Sequence, residues 1–228
     1  TAPRWHGRGH TGRVEELKEA PPEQIVAAGE QETVPRQAAS IVLLRGGTQA
    51  LEVLLVQRTH AARFMGGVWV FPGGAVDAHE GDGDPSHRVA AVRELLEEAS
   101  IDLSGAGGAA ALVKYSQWIT PAVVRTRFDT HFFLAPLPEG QEPAVDGQEC
   151  IDLGWFTPQG ALDAHAAGDL ALVFPTIKHL EQFSAFPSAQ ALLDHAAATE
   201  VVPVTPIVVM EGEVARILLP GDEGYTQE

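Results

Sequence analysis

The chain is poor in cysteine, in basic residues and in long apolar runs. Its 228 residues include one cysteine, Cys150. No intramolecular disulfide can form, and a zinc site built from several cysteines is excluded. A single thiol fits a reducing, cytoplasmic setting. No apolar run reaches the roughly 18 residues needed to span a bilayer, and the N-terminus has no apolar signal core, so no membrane partner is expected. Lys and Arg number 15 against 31 Asp and Glu, for a formal net charge of -16. Such a surface repels nucleic-acid backbones, so no nucleic-acid partner is expected. A phosphorylated small substrate stays compatible, because bound divalent metal and a few local arginines reverse the field inside a cleft. No Gly-x-Ser-x-Gly segment occurs, which leaves serine-hydrolase chemistry without support.

What is present is a full core: 45% of the residues are apolar, too many for a disordered chain. Residues 1–36 are polar and broken by Gly and Pro, and are expected to be an extended arm with one short helix near Val14–Glu19. Ser40–Leu44 and Leu51–Val56 are β-rich and separated by Arg45-Gly46-Gly47-Thr48, which predicts a hairpin. Val68–Phe71 predicts a third strand, stopped by Pro72-Gly73-Gly74. From about Ser86 the period becomes helical, with Val89, Val92, Leu95, Leu96 and Ala99 on one expected apolar stripe. Further strands are expected at Ala111–Trp118, Phe128–Ala135 and Cys150–Phe156. A helix over Pro158–Ala167 is expected after the N-cap Thr157, with others near Thr176–Ser184 and Ser188–Ala198. A last hairpin pairs Pro206–Met210 with Val214–Leu218. The irregular mixture predicts an α/β sandwich with a mixed sheet. Residues 37–185 are expected to form its main domain, and 186–228 a C-terminal helical and hairpin extension packed on it.

The densest chemistry lies in Arg93-Glu94-Leu95-Leu96-Glu97-Glu98. Glu94 and Glu98 are four residues apart and share a helical face, with Glu97 beside them. Crowded carboxylates repel one another, and a hard divalent cation relieves that repulsion through oxygen ligands. Taken alone, the hexapeptide also fits a solvated acidic helix face. The preceding strand, however, ends in Phe71-Pro72-Gly73-Gly74, where glycines allow a phosphate to approach the backbone.

The stretch Gly74 to Ile101 resembles the Nudix box, G-x5-E-x7-R-E-U-x-E-E-x-G-U with U a bulky aliphatic residue. Gly74 and Glu80 fit the opening, Arg93 to Glu98 the core, and Ile101 the end. Twelve residues instead of seven separate Glu80 from Arg93, an insertion placed at Gly81–Pro85, which is expected to be a mobile loop. Ser100 replaces the pattern's glycine. The resemblance implies a Nudix-type α/β/α sandwich and a hydrolase that cleaves a diphosphate bond in a small nucleotide-containing substrate, with Mg2+ or Mn2+ as cofactor. It implies Glu94, Glu97 and Glu98 as metal ligands, with Glu97 and Glu98 catalytic and Arg93 supporting them through an ion pair.

Upstream, Leu54-Leu55-Val56-Gln57-Arg58-Thr59, then Arg63, Gly67 and Phe71-Pro72-Gly73-Gly74, is similar to the signature L-L-T-x-R-S-x3-R-x3-G-x3-F-P-G-G of the coenzyme A diphosphatase branch. That similarity implies a substrate-binding role for Arg58, Arg63, Gly73 and Gly74. The products would be 3′-phospho-AMP and a phosphopantetheine derivative. Downstream, Trp118–Pro121, Arg127–Phe133 and Glu149–Pro158 resemble the same branch. Glu149 is either a further carboxylate for the metals, a general base, or a structural residue at a strand start. His131 and Cys150 fit the core. The competing readings are an NADH- or ADP-ribose-type diphosphatase and a non-catalytic Nudix-fold binding or regulatory module. A homodimer is compatible with the sequence.

Overall fold

A computed structural model describes residues 33–62, 65–211 and 214–226. The helix expected near Val14–Glu19 lies outside them, as does Arg63. Nine strands and four α-helices occur among the described residues. In chain order they are β1 (Arg36–Arg45), β2 (Glu52–Arg58), β3 (Trp69–Val70), β4 (Gly73–Ala75), α1 (Asp84–Ala99), β5 (Val113–Ile119), β6 (Phe128–Pro136), β7 (Cys150–Phe156), α2 (Pro158–Ala167), α3 (Phe174–Phe183), α4 (Ala189–Ala197), β8 (Ile207–Glu211) and β9 (Val214–Leu218).

The described residues fall into two compact units. The larger comprises Ala38–Tyr115 and His131–Thr199, and the smaller includes Ser116–Thr130 and the described part of Glu200–Glu228. In the smaller unit β8 pairs antiparallel with β9, and the Tyr225 hydroxyl donates to the Thr205 carbonyl at 2.9 Å.

A mixed sheet ordered β3-β2-β1-β6-β5 organises the fold, with β4 added against β1 and β7 against β2. The expected first hairpin is present, Leu44 standing opposite Val53. Strand side chains alternate between faces, and β6 shows both layers of the sandwich. His131 stacks on His87 of α1 at 3.7 Å, whereas its neighbour Phe132 meets His179 of α3 at 4.5 Å. Ile41, Leu43, Leu54, Val56 and Phe133 form the α1-side core with Ala90, Ala91, Leu95 and Ala99. Helix α2 is capped as expected, the Thr157 hydroxyl accepting from the Gly160 N–H at 3.1 Å.

Strand β3 ends before Pro72 as expected, but Gly73-Gly74 then forms a strand of its own, β4, with Gly74 opposite Ala39 and Gly73 opposite Ser40. Two expectations are corrected. Helix α1 begins at Asp84, so the Gly81–Pro85 run contributes only Gly81 to Gly83 to the loop. Asp84 and Pro85 open the helix, where Asp84 pairs with Arg88 at 2.7 Å and with Lys114 at 3.3 Å. Val89 and Leu96 do not belong to the buried stripe; they are 45% and 48% exposed. The sheet-facing stripe is built mostly of alanine, whose small side chain lets α1 lie close to the sheet. Ser100 ends α1 in the left-handed conformation at φ 57, its N–H bonding the Leu96 carbonyl. It thus adopts the backbone that the family pattern assigns to glycine.

Burial dictates the charge state of His179 on α3. It is fully buried against Phe71, Phe132 and Phe183. Burial depresses it from 6.5 to about 3, partly offset by a hydrogen bond to the Pro175 backbone. Because the folded value lies below the unfolded one, the neutral ring's contribution is complete above pH 6.5 and is lost as pH falls toward 3. Each unit of acidification in that window should remove about 1.4 kcal/mol. Chemical denaturation of wild type and His179→Leu across this range should show a flatter pH profile for the variant. Parallel profiles would refute the assignment.

Candidate active site

Strand β4 and helix α1 assemble the site in the larger unit, and the sequence dictates how closely they approach. A Cβ on Gly74 would come within 2.5 Å of the Glu94 carboxyl carbon, and a Cβ on Gly73 would strike the Ala39 carbonyl and Ser40. Glycine is therefore required here to bring α1 carboxylates against β4. The Gly73 N–H donates to the Glu98 carboxylate at 2.9 Å. Glu98 is 2% exposed, on the sheet-facing side of α1.

Arg93 ties the remaining carboxylates together. Its Nε donates to Glu80 at 2.9 Å, and one Nη donates to Glu94 at 2.7 Å and to Glu97 at 3.0 Å. The other Nη reaches the Ala75 carbonyl of β4 at 3.0 Å. Glu80 also accepts from the Asp77 N–H at 2.7 Å and keeps only 2% of its side chain exposed. The inserted residues therefore leave Glu80 inside the cluster. Of them, Gly81 to Gly83 are exposed, and Gly81 and Gly83 adopt positive φ.

These contacts separate the carboxylates electrically. Burial pushes Glu80 up, but hydrogen bonds from Arg93 and the Asp77 backbone outweigh it and hold it below the usual range. Glu94 lies above the usual range: burial raises it, Arg93 opposes, and the charges of Glu97 and Glu149 add to the rise. Glu98 is pushed up to about 7 by burial and by the Glu94 charge, against the Gly73 N–H, Arg58 and a hydrogen bond from Cys150. The Arg93 guanidinium is held firmly charged, first by its Glu80 hydrogen bond.

Sheet register brings three further residues to the same place. Arg58 ends β2 opposite Cys150, after an irregularity in the β2–β7 ladder. The Arg58 Nε is buried with no hydrogen-bond partner among the described residues. Asp146 accepts the N–H groups of Glu149 and Cys150 at 3.0 and 2.9 Å, and the Thr59 N–H holds the Glu149 carbonyl at 2.8 Å. The Glu149 residue itself remains exposed. Arg58, Gly73, Gly74, Arg93, Glu94, Glu97, Glu98 and Glu149 thus gather around one edge. The pairing of Cys150 with Arg58 was not foreseen, because spacing along the chain carries no sign of strand register between distant strands.

As placed, no three His, Cys, Asp or Glu side chains among the described residues converge tightly enough to hold a metal ion. Glu94 and Glu97 are engaged by Arg93, and Glu98 by Gly73. The donor set nevertheless fits a hard divalent cation. It is all carboxylate oxygen, and Glu94 and Glu98 are raised by burial and by neighbouring carboxylate charge, the condition that a cation relieves.

The NUDIX domain family matches residues 34–176. "Putative nudix hydrolase 7" of Caenorhabditis elegans is 29% identical over a 226-residue alignment, covering 85% of this chain and 75% of that protein. "Acyl-coenzyme A diphosphatase NUDT19" of Homo sapiens is 28% identical over 123 residues, 52% of this chain and 33% of the human protein. Among solved structures, a NUDIX hydrolase from Alicyclobacillus acidocaldarius superposes with a TM-score of 0.61 at 28% identity, over 75% of this chain and 98% of that one. With the family matched over more than half its length, on an α/β/α sandwich with a glutamate-bearing helix against a glycine strand, this chain belongs to the Nudix family and is a hydrolase of diphosphate bonds.

Proposed function

We propose that this hydrolase is a divalent-metal-dependent coenzyme A or acyl-coenzyme A diphosphatase, releasing 3′-phospho-AMP and (acyl-)phosphopantetheine. The observation that carries the reading is the pairing of half-buried Glu94 and buried Glu98, both raised, at the Gly73-Gly74 edge, with an Arg58 whose Nε has no hydrogen-bond partner among the described residues. The branch-specific spacing of Arg58 and Arg63 and the likeness to the human acyl-coenzyme A diphosphatase support the substrate class.

Glu94, Glu97 and Glu98 would hold Mg2+ or Mn2+, which when bound neutralises diphosphate charge and makes water a nucleophile near neutral pH. Gly73 fixes the Glu98 carboxylate through its N–H, and Arg93 keeps Glu94 and Glu97 in reach of that edge. Arg58 donates to a phosphate oxygen, and Gly73 and Gly74 bring the backbone alongside it. Exposed Glu149, with its backbone anchored on both sides, accepts the proton of the attacking water. The water oxygen bonds to one phosphorus as the bridging P–O bond breaks, and the departing phosphate carries away the electron pair.

Cation ligands recognise the diphosphate, a group that NADH and ADP-ribose share with coenzyme A. Discrimination falls to the 3′-phosphate, assigned here to Arg63. A charged hydrogen bond contributes about 1.5–3 kcal/mol, or roughly ten- to a hundredfold in specificity. A product-resolved screen of coenzyme A, acyl-coenzyme A, 3′-dephospho-coenzyme A, NADH and ADP-ribose with Mg2+ or Mn2+ tests this. Coenzyme A or an acyl derivative should exceed the dephospho compound in kcat/KM by that factor, and Arg63→Ala should remove most of the gap. Equal rates, or a preference for NADH, would overturn the coenzyme A assignment and leave the Nudix hydrolase.

A further inference from the structure

We propose that Asp146 is a positioning residue for Glu149: its carboxylate clamps the turn that carries Glu149 into β7 and so fixes where the base stands. The proposal rests on the reading that Glu149 accepts the proton of the attacking water. Glu149 is exposed, and both hydrogen bonds that it makes among the described residues are made by its backbone. A base must keep its carboxylate open to the water it deprotonates, so the backbone has to do the placing. Asp146, three residues earlier, supplies the hold. Its Oδ2 accepts the Glu149 N–H at 3.0 Å, and its Oδ1 accepts the Cys150 N–H at 2.9 Å. Both oxygens are thus engaged on consecutive peptide groups at the strand start. Aspartate readily bonds the backbone just beyond it, which suits it to such turns. Gly147 completes the turn at φ 74, and its N–H donates to the Cys150 carbonyl at 3.0 Å. On the far side the Thr59 N–H holds the Glu149 carbonyl at 2.8 Å, next to Arg58 at the end of β2.

A turn residue with no link to the chemistry predicts a loss that is indifferent to Glu149. A positioning residue predicts a loss of turnover that exists only while Glu149 is there to be misplaced. A misplacement of about 1 Å costs up to about a hundredfold in rate. Asp146→Ala removes both acceptors and should lower kcat about ten- to a hundredfold. KM should stay within about twofold, since Arg58 and the α1 carboxylates are untouched. Asp146→Asn keeps one carbonyl acceptor and should fall between the alanine variant and wild type.

A double-mutant cycle on the full chain decides, run with Mg2+ on whichever of the five compounds screened above is cleaved fastest. Glu149→Gln alone should lower kcat at least about a hundredfold, the scale of a general base. Adding Asp146→Ala to it should cost less than about twofold more, because residues that act as a unit are not additive. Wild-type kcat in Asp146→Ala, or its whole loss repeated on top of Glu149→Gln, overturns the proposal and leaves Glu149 as the base. A loss carried by KM does the same. If Asp146→Ala does not fold, Asp146→Asn runs the same cycle with the same overturning results. Full turnover by Glu149→Gln overturns the base reading and the proposal with it.

Discussion

Glu98→Gln should lower kcat at least about a hundredfold, roughly the 2.7 kcal/mol expected when one electrostatic contributor to a transition state is removed. The change keeps an oxygen acceptor for the Gly73 N–H and removes only the charge. Glutamine is a good helix former, so α1 should persist. Glu98 is 2% exposed and raised by burial, so removing its charge relieves a desolvation cost, and Tm of the metal-free protein should not fall. A loss of turnover with Tm held or raised is the expected pair of results. Full activity in the variant, or in wild type with excess EDTA, would contradict the metal mechanism.

Arg93→Met should be the most destabilising single change in the site. Three carboxylates share this guanidinium, and one of them, Glu80, retains 2% side-chain exposure. Removing one partner of a buried pair typically costs about 3–5 kcal/mol, because the other charge is left uncompensated. Arg93 itself is 24% exposed, which places the expected loss at the lower end, about 3 kcal/mol. For a chain of this size that corresponds to a drop in Tm of about 6–12 °C. Glu80→Gln in the Arg93→Met background should recover part of the loss, since it removes the orphaned charge. A double variant as unstable as the sum of the two single changes would show that Arg93 and Glu80 do not act together.

Much of the site was legible in local spacing. The i, i+4 relation of Glu94 and Glu98, the Arg93 that pairs with Glu97, and the glycine pair after Phe71-Pro72 depend on near neighbours in the chain. Helix α2 was equally legible, because Thr157 and Pro158 mark its start through local hydrogen bonding and a preset φ. The buried face of α1 was legible only in part. Leu95 and Ala99 lie on it and Val92 packs against it, but Val89 and Leu96 are exposed and the small Ala90 and Ala91 meet the sheet instead. Hydrophobicity ranks residues by transfer energy; the separation between helix and sheet ranks them by size.

The amino-acid sequence by itself determined the family, the glutamate helix and, apart from β4, the order of strands and helices. Each is carried by residues close in the chain, whose backbone preferences and side-chain spacing act locally. Tertiary structure alone decided that Gly73-Gly74 is a paired strand with Glu94 in the space its side chains lack. It also decided that Glu80 remains bonded to Arg93 across the insertion, and that Cys150 stands opposite Arg58 on the neighbouring strand. Those contacts come from strand register and from the close approach of α1 to the sheet. Both are settled by packing the whole core at once, where a one-residue slip would turn every strand side chain to the other face.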